Sequence, residues 1–236
     1  MGKKIKLTIS EQDFTDLLVR NVFGGKGEDI VGKLLGDLKK EKSSDNESES
    51  STTGTKSSTN TAGEFTQLDM NKPEDFKAYE KVANNFISSR SSNLLNINGT
   101  MLADAAKNAQ NKFGKYVPVE LSLGQLASEG GFSRKPDARP IRTKNPYNVG
   151  NTDSGKNIEH GSVQNGIQAY YDLIAKNYLV GDKTATDLLN NFVNKNGNRY
   201  ASSQKYEDSV SKIANQVKSM SQPVFASLKK PDSNVA

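Results

Sequence analysis

A polar stretch divides this chain. From Glu41 to Gly63, 12 of 23 residues are Ser or Thr, and none is aromatic or a large aliphatic. Such a segment cannot bury enough apolar surface to offset the entropy of ordering its backbone, so residues 41–64 are expected to form a disordered tether. The tether leaves three other pieces: a short N-terminal segment, 1–40; a domain of ordinary size, 65–221; and a polar tail, 222–236. It also accounts for a hydrophobic share of 33%, low against the ~45–50% usual for a globular chain.

Composition removes several kinds of chemistry. With no Cys and one His among 236 residues, disulfide scaffolds, zinc fingers, iron–sulfur sites, thiol nucleophiles and His-rich metal centres are excluded. No metal or cofactor is implied. No run approaches the ~20 apolar residues of a membrane span. The opening MGKKIKLTISEQDF meets Glu11 and Asp13 before an apolar core could form, so no secretory signal is expected. The net charge is +5, and the 65–221 domain with its tail carries the excess of base, +6 against −3 for 41–64. That balance suits an anionic polymer. Without a dense Lys/Arg run interleaved with aromatics, nucleic acid is not the expected partner.

Helical periodicity dominates. In 1–40, Phe14, Leu17, Leu18 and Val22 share one face behind a Ser10 cap, and Ile30, Val31, Leu34, Leu35 and Leu38 share another. Some 40 residues make too small a core to stand alone, so this piece is expected to dock on a partner surface. In the domain, the spacing predicts helices over 75–89, over 101–113 with Thr100 as cap, and over 119–128 opened by Pro118. Further helices are predicted from Ser162, around Leu188, Leu189, Phe192 and Val193, and from Tyr206 to Met220. Residues 132–160, rich in Pro, Gly and Asn, show no helical period and read as a long functional loop.

Chemistry concentrates in Pro118–Asn151. Glu129 ends a largely apolar helix and is followed by Gly130-Gly131. The helix fixes the carboxyl, its negative end disfavours ionisation, and the glycines would let a polymer approach closely. A carboxyl with its pKa raised toward neutrality is what protonating a glycosidic oxygen requires.

These residues carry a resemblance. Pro118, Gln125, Glu129, Gly131 and Phe132 stand where lysozyme-like peptidoglycan hydrolases have Pro-x-x-(apolar)-x-x-Gln-x-x-x-Glu-Ser-Gly-(aromatic). Asn145-Pro146-Tyr147-Asn148-Val149-Gly150-Asn151 resembles the Asn-(x)-Phe-Gly-Ile-Lys-Gly segment of the N-acetylglucosaminidases among bacterial autolysins and flagellar hydrolases. Arg199-Tyr200-Ala201, followed by Tyr206, resembles their closing Tyr-Ala motif. The resemblance spans about residues 75–220. Gly130 replaces the family's Ser, and the Phe-Gly-Ile form is replaced at 147–149.

The resemblance implies an α+β, mainly α, lysozyme-like domain that cleaves the glycan of bacterial peptidoglycan as an endo-β-N-acetylglucosaminidase. Glu129 would be the general acid, and Asp153 or Glu159 the second carboxylate. Gln125, Asn145, Tyr147, Asn148, Tyr200 and Tyr206 would bind substrate. Asp137 is a further acidic residue of the same loop. Attack by the substrate's own acetamido group, or by the muramyl hydroxyl as in lytic transglycosylases, needs no second carboxylate; a muramidase is a third alternative. The opening Lys-Ile-Lys-Leu-Thr-Ile-Ser-Glu-Gln-Asp-Phe resembles short N-terminal segments of phage proteins. With the tether, this implies an enzyme carried by a virion, contacting phage structural proteins through 1–40 and acting in the host periplasm or wall. Two other classes of function stay open: a catalytically inactive virion component of the same fold, and an assembly protein in which residues 1–40 carry the function.

Overall fold

The structure, a computed structural model, describes residues 64–151, 157–203 and 205–228. The helices expected within 1–40, nearly all of the tether, Asp153 and the end of the tail lie outside the described residues.

The domain is mainly helical. The helices are α1 (Pro73–Ser88), α2 (Gly99–Phe113), α3 (Val119–Ser128), the single turn α4 (Arg139–Arg142) and α5 (Val163–Leu173). A π-helical turn (Ile174–Tyr178) continues α5, and α6 (Ala185–Asn190) and α7 (Tyr206–Leu228) complete the set. The expected β component is corrected: among the described residues there is no strand, only one antiparallel bridge between Val193 and Arg199. Prolines 136, 140 and 146 remove backbone donors from the loop where a hairpin could form.

Helix α3 is the centre of the domain. Every residue from Val119 to Leu126 is buried, as expected of a helix covered on all sides. It packs along α7, with α1 against both; α2 lies on α1 and α5, and α6 on α7. No helix among the described residues is long and apolar enough to cross a membrane.

Three boundaries differ from the sequence reading. Asn98, not Thr100, caps α2, accepting from the Met101 N–H at 3.0 Å. Helix α6 stops before Phe192: Asn191 turns extended, and the Phe192 N–H goes to Glu207 Oε1 at 3.0 Å. The polar tail expected from 222 is helical as far as Leu228, with Phe225 buried against the core. Pro223 lacks only the N–H that would meet Ser219, and burial of Phe225 offsets that loss.

Hydroxyls run through the aromatic core. The Tyr79 hydroxyl meets that of Tyr171 at 2.7 Å, and Ser122 Oγ bridges the Tyr171 and Tyr147 hydroxyls at 2.6 and 2.7 Å. These four buried hydroxyls thereby satisfy one another.

Glu120, also on α3, is 1% exposed. Ser221 Oγ donates to its Oε1 at 2.6 Å, while Oε2 has no partner. Burial raises its pKa, opposed by the Ser221 hydrogen bond and the positive charge of Lys218. The folded state therefore holds this proton more tightly than the unfolded chain does. The resulting stability is complete below the ordinary glutamate range and is lost as pH rises through the raised value. Glu120→Gln keeps the Ser221 contact and removes the buried charge. The variant should therefore melt higher than the wild type near neutral pH, with the difference vanishing in acid. Melting curves across pH check this; a lower melting temperature at neutral pH would contradict it.

Candidate active site

Glu129 is the C-terminal cap residue of α3, its N–H bonded to Gln125 O at 2.8 Å. Gly130 follows at φ +81°, a conformation that side chains disfavour. From there the Gly130 and Gly131 N–H groups bond back to Ala127 O at 3.3 Å and Leu126 O at 2.9 Å. This pair of bonds is the Schellman stop, and it fixes the direction in which Glu129 leaves the helix. The expected role of the second glycine is corrected. Gly131 is buried, and a Cβ there would stand 2.4 Å from Leu126 Cδ1 and 3.1 Å from Pro146 O. It allows the following loop to pack on α3 rather than opening a path for a polymer.

That loop, 143–151, is held by asparagines. Asn145 donates to Val149 O at 3.0 Å and Ile158 O at 3.2 Å, and accepts from the Val149 N–H at 2.9 Å. Asn148 sits at φ +52°. Its amide donates both to the backbone oxygen of Glu129 at 2.9 Å and to Glu129 Oε2 at 3.0 Å. Asn151 donates to Asn148 Oδ1 at 3.0 Å, which turns the Asn148 NH₂ toward the glutamate.

A second line of polar groups reaches Glu129 from the core. The Tyr170 hydroxyl donates to Gln125 Oε1 at 2.6 Å, and Gln125 Nε2 donates to the Tyr206 oxygen at 2.8 Å. The Tyr206 hydroxyl, on the same line, favours the ionised form of the Glu129 carboxyl. Burial pushes the Glu129 pKa up, opposed in descending order by the bond from Asn148, by the Tyr206 hydroxyl and by the charge of Arg139. Burial and the adjacent Glu129 also push Tyr206 and Tyr200 well above the usual phenol value, burial being the larger cause.

The carboxyl opens into a pocket of about 340 Å³ lined by Asn148, Asn151, Tyr200, Arg139 and Arg199. Of the residues expected to bind substrate, Asn148 and Tyr200 line it. Gln125 and Tyr206 stand behind Glu129 as its supports. Two expectations are corrected. Asn145 is fully buried, with its amide engaged by the loop backbone. Tyr147 is fully buried, stacked on Tyr170 at 3.7 Å and 5°. Neither offers a ligand a free face. The Tyr147 carbonyl instead receives the Tyr200 hydroxyl at 2.7 Å, holding that ring at the pocket wall. Glu159 is exposed and is not among the described lining residues. Asp153 lies outside the described residues. Glu129 is the one carboxylate among the described lining residues.

Asn151 belongs to the asparagine segment that the sequence singles out for contact with acetamido groups, whereas sequence reasoning gave Arg139 and Arg199 no role. Arg199 borders the Tyr-Ala motif, so it had a signal. Arg139 had none: it is one of several basic residues between 134 and 144. Compared with protein-family models, with curated proteins and with solved structures, the chain matches none.

Proposed function

We propose that this protein has a lysozyme-like fold and cleaves the glycan strand of bacterial peptidoglycan, with Glu129 as general acid and N-acetylglucosaminidase specificity. The observation that carries the reading is the state of Glu129. It is a carboxyl with its pKa raised by burial, fixed by a helix stop, opening into a pocket beside tyrosine and asparagine. Its side-chain hydrogen-bond partner, the Asn148 amide, presents a hydrogen to it. A proton on the carboxyl is therefore left for the pocket, where a glycosidic oxygen would receive it as the bond to the anomeric carbon breaks. Tyr200 lines the pocket with an aromatic ring, a group that packs on sugars, while the Asn148 amide is engaged in holding Glu129. The carrier we propose is a phage particle, with 1–40 as docking segment; the support is the sequence layout of apolar stripes ahead of a polar tether.

One observation favours a second reading. With Glu129 the sole carboxylate among the described lining residues, the second step would be taken by the substrate, through its acetamido oxygen or, in a lytic transglycosylase, its muramyl hydroxyl. Digestion of purified sacculi followed by mass spectrometry of the products separates these. Reducing-end N-acetylglucosamine is expected. Anhydromuramyl ends would assign a transglycosylase, and reducing muramic acid a muramidase. Intact sacculi after treatment with folded protein would overturn the enzymatic reading.

A further inference from the structure

We propose that the pocket beside Glu129 is an anion-selecting subsite, in which Arg139 binds a carboxylate carried by the muramyl residue of the glycan. This rests on the glycan-cleaving reading and names what that site selects.

Two guanidinium groups line the pocket, and they are in different states. Arg199 is neutralised: it bonds Glu207 Oε2 at 2.6 Å and also donates to Ala201 O and Ser203 O at 3.3 and 3.1 Å. The Arg139 guanidinium makes no hydrogen bond or ion pair among the described residues, although the residue is partly buried and its charge reaches Glu129. It stands at the first position of α4, where Pro140 and the Thr143 Oγ1–Arg139 O bond of 2.7 Å hold the backbone. A general acid must be protonated to act, and in that form Glu129 offers Arg139 no counter-charge. Among the described residues, the working pocket therefore holds one uncompensated, partly desolvated cation, and a planar guanidinium is suited to a carboxylate.

Only one of the two sugars of the strand bears such a group. The muramyl residue carries a lactyl ether whose carboxylate is free on a strand stripped of peptide. On an intact strand that carboxyl is in an amide, and the stem peptide supplies carboxylates instead. Chitin oligosaccharides have neither. The subsite would thus add a term to binding that neutral N-acetylglucosamine polymers cannot supply, and one that salt weakens.

The test uses full-length Glu129→Gln protein, so that binding is read without turnover. The probes are the N-acetylglucosamine–muramic acid tetrasaccharide with free lactyl groups, the same glycan bearing stem peptides, and chitotetraose, measured by calorimetry at two salt concentrations. One or both muramyl glycans should bind ten-fold or more tighter than chitotetraose, and the tighter of the two names the carboxylate. Adding Arg139→Gln should collapse that ratio toward one, and Arg139→Lys should restore part of it. Melting curves establish that each variant is folded. Equal binding of all three glycans, or a ratio indifferent to Arg139→Gln, overturns the anion subsite and leaves glycan cleavage standing. Failure of every glycan to bind overturns the glycan reading itself, and the subsite with it.

Discussion

Glu129→Gln should abolish clearing of sacculi while leaving the domain folded. The amide keeps the shape of the side chain and can still accept from Asn148 through its oxygen, so neither the helix stop nor the loop loses its contact. What is lost is the proton. General acid catalysis contributes about 10²–10⁴-fold in rate, and no other described residue of the pocket can supply a proton in its place. Arg139 and Arg199 hold theirs too tightly, and the Tyr200 phenol is pushed well above its usual value by burial. Stability should move the other way. Burial raises the Glu129 pKa on folding, so the stability linked to its protonation is full below the ordinary glutamate range and lost as pH rises through the raised value. The neutral amide escapes that loss, and the variant should melt at or slightly above the wild type at neutral pH. Turbidity of sacculi and a melting curve on the same sample decide the matter; near-wild-type clearing by a folded variant removes the basis of the proposed mechanism.

The same carboxyl sets a pH profile. Activity needs the protonated form, so the alkaline limb should lie above the range of an exposed glutamate. Tyr206 pulls against burial here, since its hydroxyl favours the ionised carboxylate. Tyr206→Phe should accordingly shift the alkaline limb further up in pH, even where the rate at the optimum falls.

The sequence carried the position of Glu129 well, because both ends of α3 are punctuated. Pro118 precedes its first residue and Gly130-Gly131 follow its last, and the observed limits, Val119–Ser128, lie between them. Periodicity also located α1, α2, α5 and α7. The residues lining the pocket were harder to read, and the reason is local. Tyr147 and Asn148 are neighbours in a loop with no period, yet one enters the core and the other faces the carboxyl. Asn145 and Asn148 are the same residue type three positions apart, and only the tertiary fold makes one a clamp and the other a pocket wall. A four-residue helix such as α4 is too short to leave a pattern, so Arg139 could not be told from the other basic residues near it. Asn98 and Thr100 are both good cap residues two positions apart, and composition alone does not choose between them.

Gly166→Ala should damage the site from the opposite side of the loop. By helix propensity alone the change would help, since Ala is favoured over Gly inside a helix by about 1 kcal/mol. The surroundings reverse the sign. Gly166 faces the loop across from α3, and a Cβ there would stand 2.2 Å from Lys144 O and 3.1 Å from Pro146 Cδ. Both obstacles belong to the backbone or to a ring fused to it, so no side chain can rotate away. Lys144 is already in the left-handed region at φ +51°, and the His160 N–H holds the neighbouring Thr143 O at 3.0 Å. Relief must come from moving the loop off α5. That movement separates Tyr147 from Tyr170, on α5, and draws Asn148 away from Glu129. Overpacking of a well-filled core costs about 1–3 kcal/mol, and the lost stacking and hydrogen bonds add to it. Melting should fall by several degrees, at about 2–4 °C per kcal/mol for a domain of this size, and the rate should fall with it. Gly161→Ala serves as control, since its Cβ would meet only Asn165 Nδ2 at 3.8 Å. If the two variants melt together and cut sacculi equally fast, the close approach of α5 to the loop is not what holds Asn148 on the Glu129 carboxyl.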